Sequence, residues 1–168
     1  MNIEEAINTA IEYETRVRDV YVEALDEAED EVAKRIFKLL ADEEHSHVVF
    51  LKGQLSQWVT KQKLSLDELD TALPAAETIQ NEVEKLEDAM NEVDRSKELL
   101  ILNKINEVEN ETSRFYKKMV MELPETGKAF FSRFLELEKG HIALVQAEID
   151  ALTGKGFWFD MPEFIVGS

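Results

Sequence analysis

The sequence predicts an all-α protein: a four-helix bundle with one long crossover between the second and third helices, built from two repeated helical hairpins. Gly (6) and Pro (3) are scarce among the 168 residues, while the helix formers Glu, Leu, Lys and Ala dominate. Apolar residues recur at helical spacing in four long segments. The segments also repeat, since Glu14 precedes Tyr21 by seven residues and Glu109 precedes Tyr116 by seven.

The first hairpin is predicted over residues 1–61. Asn2 and Glu5 have the spacing of a capping box and begin a first helix that runs to about residue 28. The acidic stretch 26–31 is the predicted turn, and the second helix follows it. The core-facing stripe of the first helix consists of Ile7, Ile11, Glu14, Val17, Tyr21 and Leu25. The stripe of the second helix consists of Phe37, Leu40, Glu44, His47, Leu51, Leu55 and Trp58.

Residues 62–93 are predicted to form the crossover, a long connection with helical content. Ser65-Leu66-Asp67-Glu68 is a capping box, and Leu73-Pro74 interrupts the chain. A modest amphipathic helix is expected beyond that point, marked by Ile79, Val83, Leu86 and Met90.

The second hairpin is predicted over residues 94–154, so that residues 1–154 form one domain and residues 155–168 an aromatic C-terminal tail. The third helix is expected from about Asp94 to Met121, with Leu123-Pro124 ending it. The fourth is expected from about Thr126 to Thr153, with Gly154 as its C-terminal cap. Their stripes consist of Leu102, Ile105, Glu109, Thr112, Tyr116, Met119 and Leu123, and of Phe131, Phe134, Glu138, His141, Val145 and Leu152.

Each stripe is apolar except near its middle, where a set of metal-ligating residue types occurs. A Glu three residues before a His, as in Glu44/His47 and Glu138/His141, places carboxylate and imidazole on one helix face. Buried carboxylates are costly unless they are paired, protonated or bound to metal. Four carboxylates and two neutral imidazoles would balance the charge of two divalent ions. The predicted ligands are Glu14, Glu44, His47, Glu109, Glu138 and His141.

The residue types also indicate the metal. Carboxylate-rich sites with one imidazole per ion suit iron or manganese, whereas structural zinc prefers four-coordinate nitrogen and sulfur ligands. A Glu from each of two helices plus Glu-x-x-His from the other two is the ligand pattern of ferritin-like carboxylate proteins. Two iron ions are therefore the expected cofactor, with manganese or zinc as possible substitutes.

With Tyr21 and Tyr116 added, these residues resemble the ferritin-like di-iron domain of the rubrerythrin family over residues 1 to about 154. The resemblance implies that Glu44 and Glu138 bridge the metals, that Glu14 and Glu109 are terminal ligands, and that His47 and His141 each complete one ion. It also implies a homodimer and a role in oxidative stress, since family members reduce peroxide or oxidise ferrous iron.

Two departures from the family pattern bear on activity. The chain has no cysteine, hence no rubredoxin domain, so turnover would need an external electron donor protein. Thr112 stands where rubrerythrins carry an extra Glu that exchanges with a His, so the carboxylate exchange of rubrerythrin peroxidases is not expected here. Thr112 could contact the ligands or simply fill the core.

Three function classes are consistent with the sequence. The leading one is a di-iron oxidoreductase in which ferrous iron reacts with hydrogen peroxide or oxygen, without catalytic residues beyond the ligands. The second is iron handling, in which ferrous iron is oxidised and stored or passed on. The third is a non-enzymatic bundle with a structural metal site.

Composition excludes other classes. The net charge of −17 repels phosphate backbones, so no nucleic-acid partner is expected. No segment has the roughly 20 consecutive apolar residues of a membrane span, and no signal peptide is visible at Met1-Asn2-Ile3. The expected location is cytoplasmic.

Several neighbouring residues are interpreted as bystanders. His45 is expected at the surface, and Glu43, Glu107 and Glu111 are expected to face away from the stripes. Tyr21 and Tyr116 are interpreted as core residues with hydrogen-bonded hydroxyls rather than redox participants. The aromatic tail could pack on the bundle or on a second subunit.

Overall fold

The structure is a computed structural model that describes residues 1–66, 69, 71, 73, 77–79, 81, 95–154 and 158. Four long helices occupy this part of the chain: α1 (Ile3–Glu27), α2 (Glu31–Lys61), α3 (Ser96–Glu122) and α4 (Glu125–Gly154). No strand occurs among the described residues. The predicted all-α class is thus confirmed, and the predicted helix ends are accurate to within about two residues.

The start of the first hairpin follows from side-chain caps. Asn2 accepts a hydrogen bond from the backbone N–H of Glu5, and Glu5 accepts one from the N–H of Asn2, which completes the predicted capping box. Asp30 caps α2 by accepting from the N–H groups of Val32 and Ala33. Only a short link therefore separates α1 from α2, and the two helices pack along one another.

The second hairpin has an equally short link. Leu123 ends α3 in extended conformation, and Pro124 accepts a hydrogen bond from the N–H of Lys128 in the first turn of α4. Gly127 lies where a side chain would collide with Leu123, because an added Cβ would come within 2.9 Å of its side chain. The α3 helix packs against α4, and α1 packs against α3.

Among the described residues, the core consists of two apolar clusters, one on each side of a polar layer. Along α1, Ala10 belongs to one cluster and Val17 to the other, with Glu14 between them. Along α4, Phe134 and Leu144 belong to opposite clusters in the same way, with Glu138 and His141 between them. The polar residues of all four stripes are therefore enclosed by apolar layers above and below.

Parts of the predicted crossover and tail lie outside the described residues. In the crossover, Leu69, Leu73 and Ile79 are described and are buried, whereas Val83, Leu86 and Met90 lie outside the description. In the tail, Trp158 is described: it packs edge-on against Phe37 of the same chain and is 4% exposed. Of the two alternatives for the aromatic tail, packing on the bundle therefore applies to Trp158. The domain boundaries stay a prediction.

Among the described residues, no helix combines the length and apolar character needed to cross a membrane.

Candidate metal centre

The structure brings all six predicted ligands into the polar layer. Glu14 comes from α1 and Glu109 from α3, while α2 and α4 each contribute a Glu-x-x-His pair. None of the six is more than 1% exposed. Six ionisable side chains, from all four helices, thus share one enclosed region of the core.

The six residues form two overlapping groups of four. One consists of Glu14, Glu44, His47 and Glu138, and the other of Glu44, Glu109, Glu138 and His141. In each group, the potential ligand atoms lie within 4.8 Å of one another. Ligands on opposite sides of a transition-metal ion are separated by about 4.2 Å, twice a typical bond length of ~2.1 Å. Each group therefore could hold a metal ion, and Glu44 and Glu138 belong to both groups.

Many polar atoms of these residues have no hydrogen-bond partner among the described part of the chain. Buried polar atoms are rarely left unpaired, and such atoms call for an explanation. The unpaired atoms are Glu14 Oε2, both carboxylate oxygens of Glu44 and of Glu138, Glu109 Oε2, both ring nitrogens of His47, and His141 Nδ1.

The contact between His141 and Glu44 shows why these atoms fit a cation. His141 Nδ1 lies 2.6 Å from Glu44 Oε1, yet the two atoms lack the alignment of a hydrogen bond. His47 Nδ1 lies 3.7 Å from Glu44 Oε2 and 3.8 Å from Glu14 Oε1. Carboxylate oxygens and imidazole nitrogens that lie close together without forming hydrogen bonds to one another are typical of metal ligands directed toward a shared ion. The residues present therefore fit a metal.

Two tyrosines hold the outer carboxylates, and each reaches across from the other hairpin. Tyr21 of α1 donates a hydrogen bond of 2.6 Å to Glu109 Oε1 on α3. Tyr116 of α3 donates one of 2.6 Å to Glu14 Oε1 on α1. Both tyrosines are fully buried, so the interpretation as core residues with hydrogen-bonded hydroxyls is confirmed. The hydrogen bond thereby fixes one oxygen of each outer carboxylate, and the other oxygen could contact a metal ion.

The shared carboxylates retain protons because of their surroundings. Burial raises the pKa of Glu44, and the charge of Glu14 contributes further, to a value of about 8. Burial likewise raises the pKa of Glu138 well above its usual range, with the charges of Glu109 and Glu14 adding to the effect. Without metal, these surroundings therefore favour the protonated form of both shared carboxylates.

The imidazoles and the outer carboxylates are instead favoured in their charged forms: the pKa values of the imidazoles are raised, and those of the outer carboxylates are lowered. Burial lowers the pKa of His47, but the carboxylates of Glu14 and Glu44 outweigh it and raise the pKa to about 10. Burial raises the pKa of Glu14, but contacts with Glu44, His47 and Tyr116 outweigh it and lower the pKa to about 2. The centre thus favours positive charge, which either protons or metal cations can supply.

Glu43 was predicted to face away from the stripe, and this prediction is wrong. Glu43 is 8% exposed, and its Oε2 lies 2.6 Å from His141 Nε2 on α4. Its Oε1 accepts a hydrogen bond of 2.6 Å from the hydroxyl of Thr71 in the crossover. Glu43 of α2 is thus directed toward His141 on α4 rather than toward the solvent. A partner for the outer nitrogen of His141 was expected, and Glu43 fills this role.

The repeat itself contains a signal that identifies Glu43. Because Glu44 and His47 correspond to Glu138 and His141, Glu43 corresponds to Leu137, which is 5% exposed. An acid at a position that is apolar and buried in the other copy indicates a buried acid with a specific partner. Glu148, fully buried on α4, is another acid that the stripe did not predict, and it lies outside both four-residue groups.

The other bystanders lie as predicted. His45 and Glu107 are exposed, and Glu111 forms an ion pair with Arg16 near the surface. Thr112 is fully buried, and its hydroxyl donates to the backbone carbonyl of Val108 at 3.0 Å. Its hydroxyl proton is therefore engaged by its own helix.

Comparison with protein-family models gives no matching family, and comparisons with curated proteins and with solved structures give no significant match either. What the centre can bind therefore follows from the chemistry and geometry of these residues.

Proposed function

We propose that the chain is a ferritin-like di-iron protein of the rubrerythrin type, and that its bound ferrous iron reacts with hydrogen peroxide or oxygen. The observation that carries the proposal is the pair of overlapping four-residue groups that share Glu44 and Glu138. Two ions held by two shared carboxylates would form a two-metal centre. The ligand charges support this number, because four carboxylates match two divalent ions.

The ligand types favour iron. Each group offers three carboxylates and one imidazole, a set that suits iron or manganese better than the nitrogen and sulfur ligands of structural zinc. In this proposal Glu44 and Glu138 would be shared by the two positions, while Glu14 with His47 and Glu109 with His141 would complete one position each. Manganese and zinc are substitutes that the same residues could accept.

When bound, two ferrous ions would together supply the two electrons that, with two protons, reduce hydrogen peroxide to two water molecules. The chain contributes positioning and seclusion. Tyr21 and Tyr116 orient the outer carboxylates, and the apolar clusters on both sides limit the access of water. The chain has no cysteine, so an external donor protein would return the electrons.

A ferroxidase that hands on its iron is the second candidate, and two observations favour it. The chain carries 36 acidic and 19 basic residues, and a surface with this excess concentrates cations around it. At the position where rubrerythrins carry a Glu that exchanges with a His, this chain has Thr112, whose hydroxyl donates a hydrogen bond within its own helix. A centre without that exchange would favour a single oxidation of iron over repeated peroxide turnover.

Stopped-flow absorbance distinguishes these functions. Metal-free protein is loaded anaerobically with two ferrous equivalents per chain and mixed separately with hydrogen peroxide and with oxygen. Faster ferric formation with peroxide, and repeated turnover with an artificial reductant, supports the oxidoreductase. Faster formation with oxygen, followed by uptake of further iron, supports the ferroxidase. Absence of fast oxidation by either oxidant, with metal nevertheless bound, would contradict both and leave a structural metal site.

Matched controls separate the centre from the general acidity of the surface. Glu138→Ala is expected to abolish fast oxidation with both oxidants because it removes a residue shared by both groups. Glu136→Ala, two residues earlier on α4, removes an exposed acid that pairs with Arg133. Glu136→Ala is expected to oxidise iron at the rate of the unmodified chain.

A homodimer is part of the same proposal, because the family that the ligand pattern resembles commonly dimerises. Light scattering of the metal-loaded chain at several concentrations tests it: a mass near twice 19.3 kDa supports the dimer, and a mass of 19.3 kDa at all concentrations contradicts it.

A further inference from the structure

The two halves of the centre differ in what holds their imidazoles. His141 lies between two consecutive residues of α2: Glu44 Oε1 is 2.6 Å from its Nδ1, and Glu43 Oε2 is 2.6 Å from its Nε2. His47 has no such support, since its Nε2 lacks a hydrogen-bond partner among the described residues. Its ring instead contacts the edge of Phe134 and stacks on His141.

The hydrogen bonds around Glu43 assign the proton of His141. The hydroxyl of Thr71 accepts a hydrogen bond from the N–H of Leu73, so its own proton is donated to Glu43 Oε1. Glu43 is therefore an acceptor, and His141 Nε2–H donates to Glu43 Oε2. With Nε2–H held by Glu43, Nδ1 is the nitrogen directed at Glu44 and Glu109, at 2.6 and 3.6 Å, and it is the nitrogen that would offer its lone pair to a metal ion. His141 is thus held in the tautomer and ring orientation that a metal ligand requires.

The repeat shows that this support is confined to one half. Leu137 occupies in the second hairpin the position that Glu43 occupies in the first, and it belongs to an apolar cluster. The four-residue groups have the same composition, with two outer residues and two shared carboxylates in each. An imidazole that is already oriented loses less freedom when it binds, so the half that contains His141 should bind metal more tightly.

We propose that Glu43 is a positioning residue that makes the two metal positions unequal. The position that contains His141 fills first, and the position that contains His47 fills second. This inference rests on the proposed function, since it concerns the order in which the same two positions load. The ion that the two positions bind is a divalent transition-metal ion. Glu43 acts on it through His141 and does not bind it directly.

The test is an anaerobic titration of the metal-free chain with Mn²⁺, followed by electron paramagnetic resonance. The signal of free Mn²⁺ gives the binding curve, and the signal of an exchange-coupled pair appears only when both positions are filled. Two steps are expected, with dissociation constants that differ by about tenfold or more. The first equivalent should give isolated bound ions. His141→Ala should remove the tight step, and His47→Ala the weak one.

Glu43→Leu is the decisive variant, because it places in the first hairpin the residue that the second hairpin already has. The tight step should weaken by about 10- to 100-fold, the weak step should be unchanged, and the coupled-pair signal should appear from the first additions. Glu43→Gln keeps an acceptor for His141 Nε2–H, so the tight step should weaken less than in Glu43→Leu. The Gln variant also provides the test if Glu43→Leu does not fold.

Other outcomes would overturn the inference. A tight step unchanged in both Glu43 variants would show that Glu43 does not position His141. An equal weakening of both steps would show a purely structural role. A fall to one ion per chain in Glu43→Leu would show that Glu43 is itself a ligand, as its proximity to His47 and His141 allows. If the unmodified chain binds no Mn²⁺ or Fe²⁺, the proposed function fails instead.

Discussion

Tyr21 and Tyr116 connect the two hairpins through the carboxylates that they contact. Tyr21 and its partner Glu109 lie 88 residues apart in the sequence, and Tyr116 and its partner Glu14 lie 102 residues apart. The stripes predict that the tyrosines are buried, but residue spacing on one helix contains no information on a partner from another hairpin. The pairing arises from the packing of α1 against α3.

Removal of one tyrosine hydroxyl should weaken the fold and the centre together. Tyr116→Phe leaves Glu14 without its donor, and hydrogen bonds to charged groups contribute about 1.5–3 kcal/mol. We expect a loss of that size in the free energy of unfolding of the metal-free chain, measured by urea denaturation, and a similar loss for Tyr21→Phe.

Tyr13→Phe provides the control for these variants. Tyr13 is half-buried and stacks on Phe115, a contact that phenylalanine retains. Its effect should stay within about 0.5 kcal/mol. Equal urea midpoints for Tyr116→Phe, Tyr21→Phe and the unmodified chain would contradict the role assigned to the two hydroxyls.

The pH dependence of the metal-free chain should follow from the protons that the centre retains. The pKa of Glu44 is raised from 4.5 to about 8 and that of His47 from 6.5 to about 10. From pH 4.5 to about 8 for Glu44, and from pH 6.5 to about 10 for His47, the folded state holds the proton more tightly than the unfolded state does. The free energy of unfolding therefore falls as the pH rises through these ranges. Glu14, with a pKa lowered to about 2, acts oppositely but only below pH 4.5.

Urea denaturation with a chelator, from pH 5 to pH 8, tests this dependence. Stability should be highest near pH 5 and should decrease toward pH 8. Glu44→Gln, which resembles the protonated carboxyl, should show a shallower decrease. A stability that rises steadily from pH 5 to pH 8 would be inconsistent with protons held on Glu44 and His47.

Which site residues could be predicted depends on their periodicity. Glu14, Glu44 and Glu109 lie on core-facing stripes, and the repeat supports them independently. Glu43 could not be predicted by that rule, because consecutive helix residues are directed about 100° apart and its partner His141 is 98 residues away. Only comparison of the two copies, with Leu137 at the equivalent position, distinguishes it from an ordinary surface acid.

At the scale of the helices, local signals determine the ends well. The capping box at Asn2, the Asp30 cap and the Leu123-Pro124 break lie within two residues of the observed ends. The burial of some stripe residues is predicted less well: Ile11, Leu25 and Leu55 are only partly buried. The residue before each of them is buried instead (Ala10, Ala24 and Gln54), and a stripe drawn on one helix does not show which of two adjacent positions its neighbours cover.

Two glycines on the helices should respond to alanine in opposite directions. At Gly127, an added Cβ would lie 2.9 Å from Leu123 and 3.3 Å from Ile3, so Gly127→Ala should destabilise the chain, by about 1–3 kcal/mol. At Gly53, nothing lies within 4 Å of an added Cβ. Gly53→Ala should therefore stabilise α2 by about 0.5–1 kcal/mol, because alanine favours the helix.

Thermal melting of the two variants checks this contrast. A lower melting temperature for Gly127→Ala and a higher one for Gly53→Ala are expected. A higher melting temperature for Gly127→Ala would contradict the close approach of Gly127 on α4 to Leu123 at the end of α3.

At the scale of the whole molecule, the bundle encloses a polar layer that needs positive charge. Bound metal should therefore stabilise the fold, since metal that binds only the folded state shifts the unfolding equilibrium. At a free Mn²⁺ concentration of about 100 times the dissociation constant, each ion adds about 2.7 kcal/mol. This corresponds to a rise of about 5–10 °C in the melting temperature per ion. Calorimetry with Mn²⁺ and with a chelator measures the difference, and equal melting temperatures would be inconsistent with a filled core site.

The repeated hairpin explains why so much of the centre could be predicted. Each copy specifies an outer carboxylate and a Glu-x-x-His pair, and the packing of α1 against α3 brings the copies together. The sequence does not determine where the copies differ in their surroundings. The Glu43–Thr71 contact depends on a crossover that has no counterpart in the second hairpin.

The central claim is that six residues from both hairpins form one centre for two metal ions. Its most direct test is an anaerobic titration of the metal-free chain with ferrous iron, with bound iron counted by elemental analysis. Two ions per chain are expected for the unmodified protein and for the exposed-acid control Glu136→Ala, whereas Glu44→Ala and Glu138→Ala should no longer hold the pair. Iron binding by Glu44→Ala and Glu138→Ala equal to that of the unmodified chain would contradict the claim.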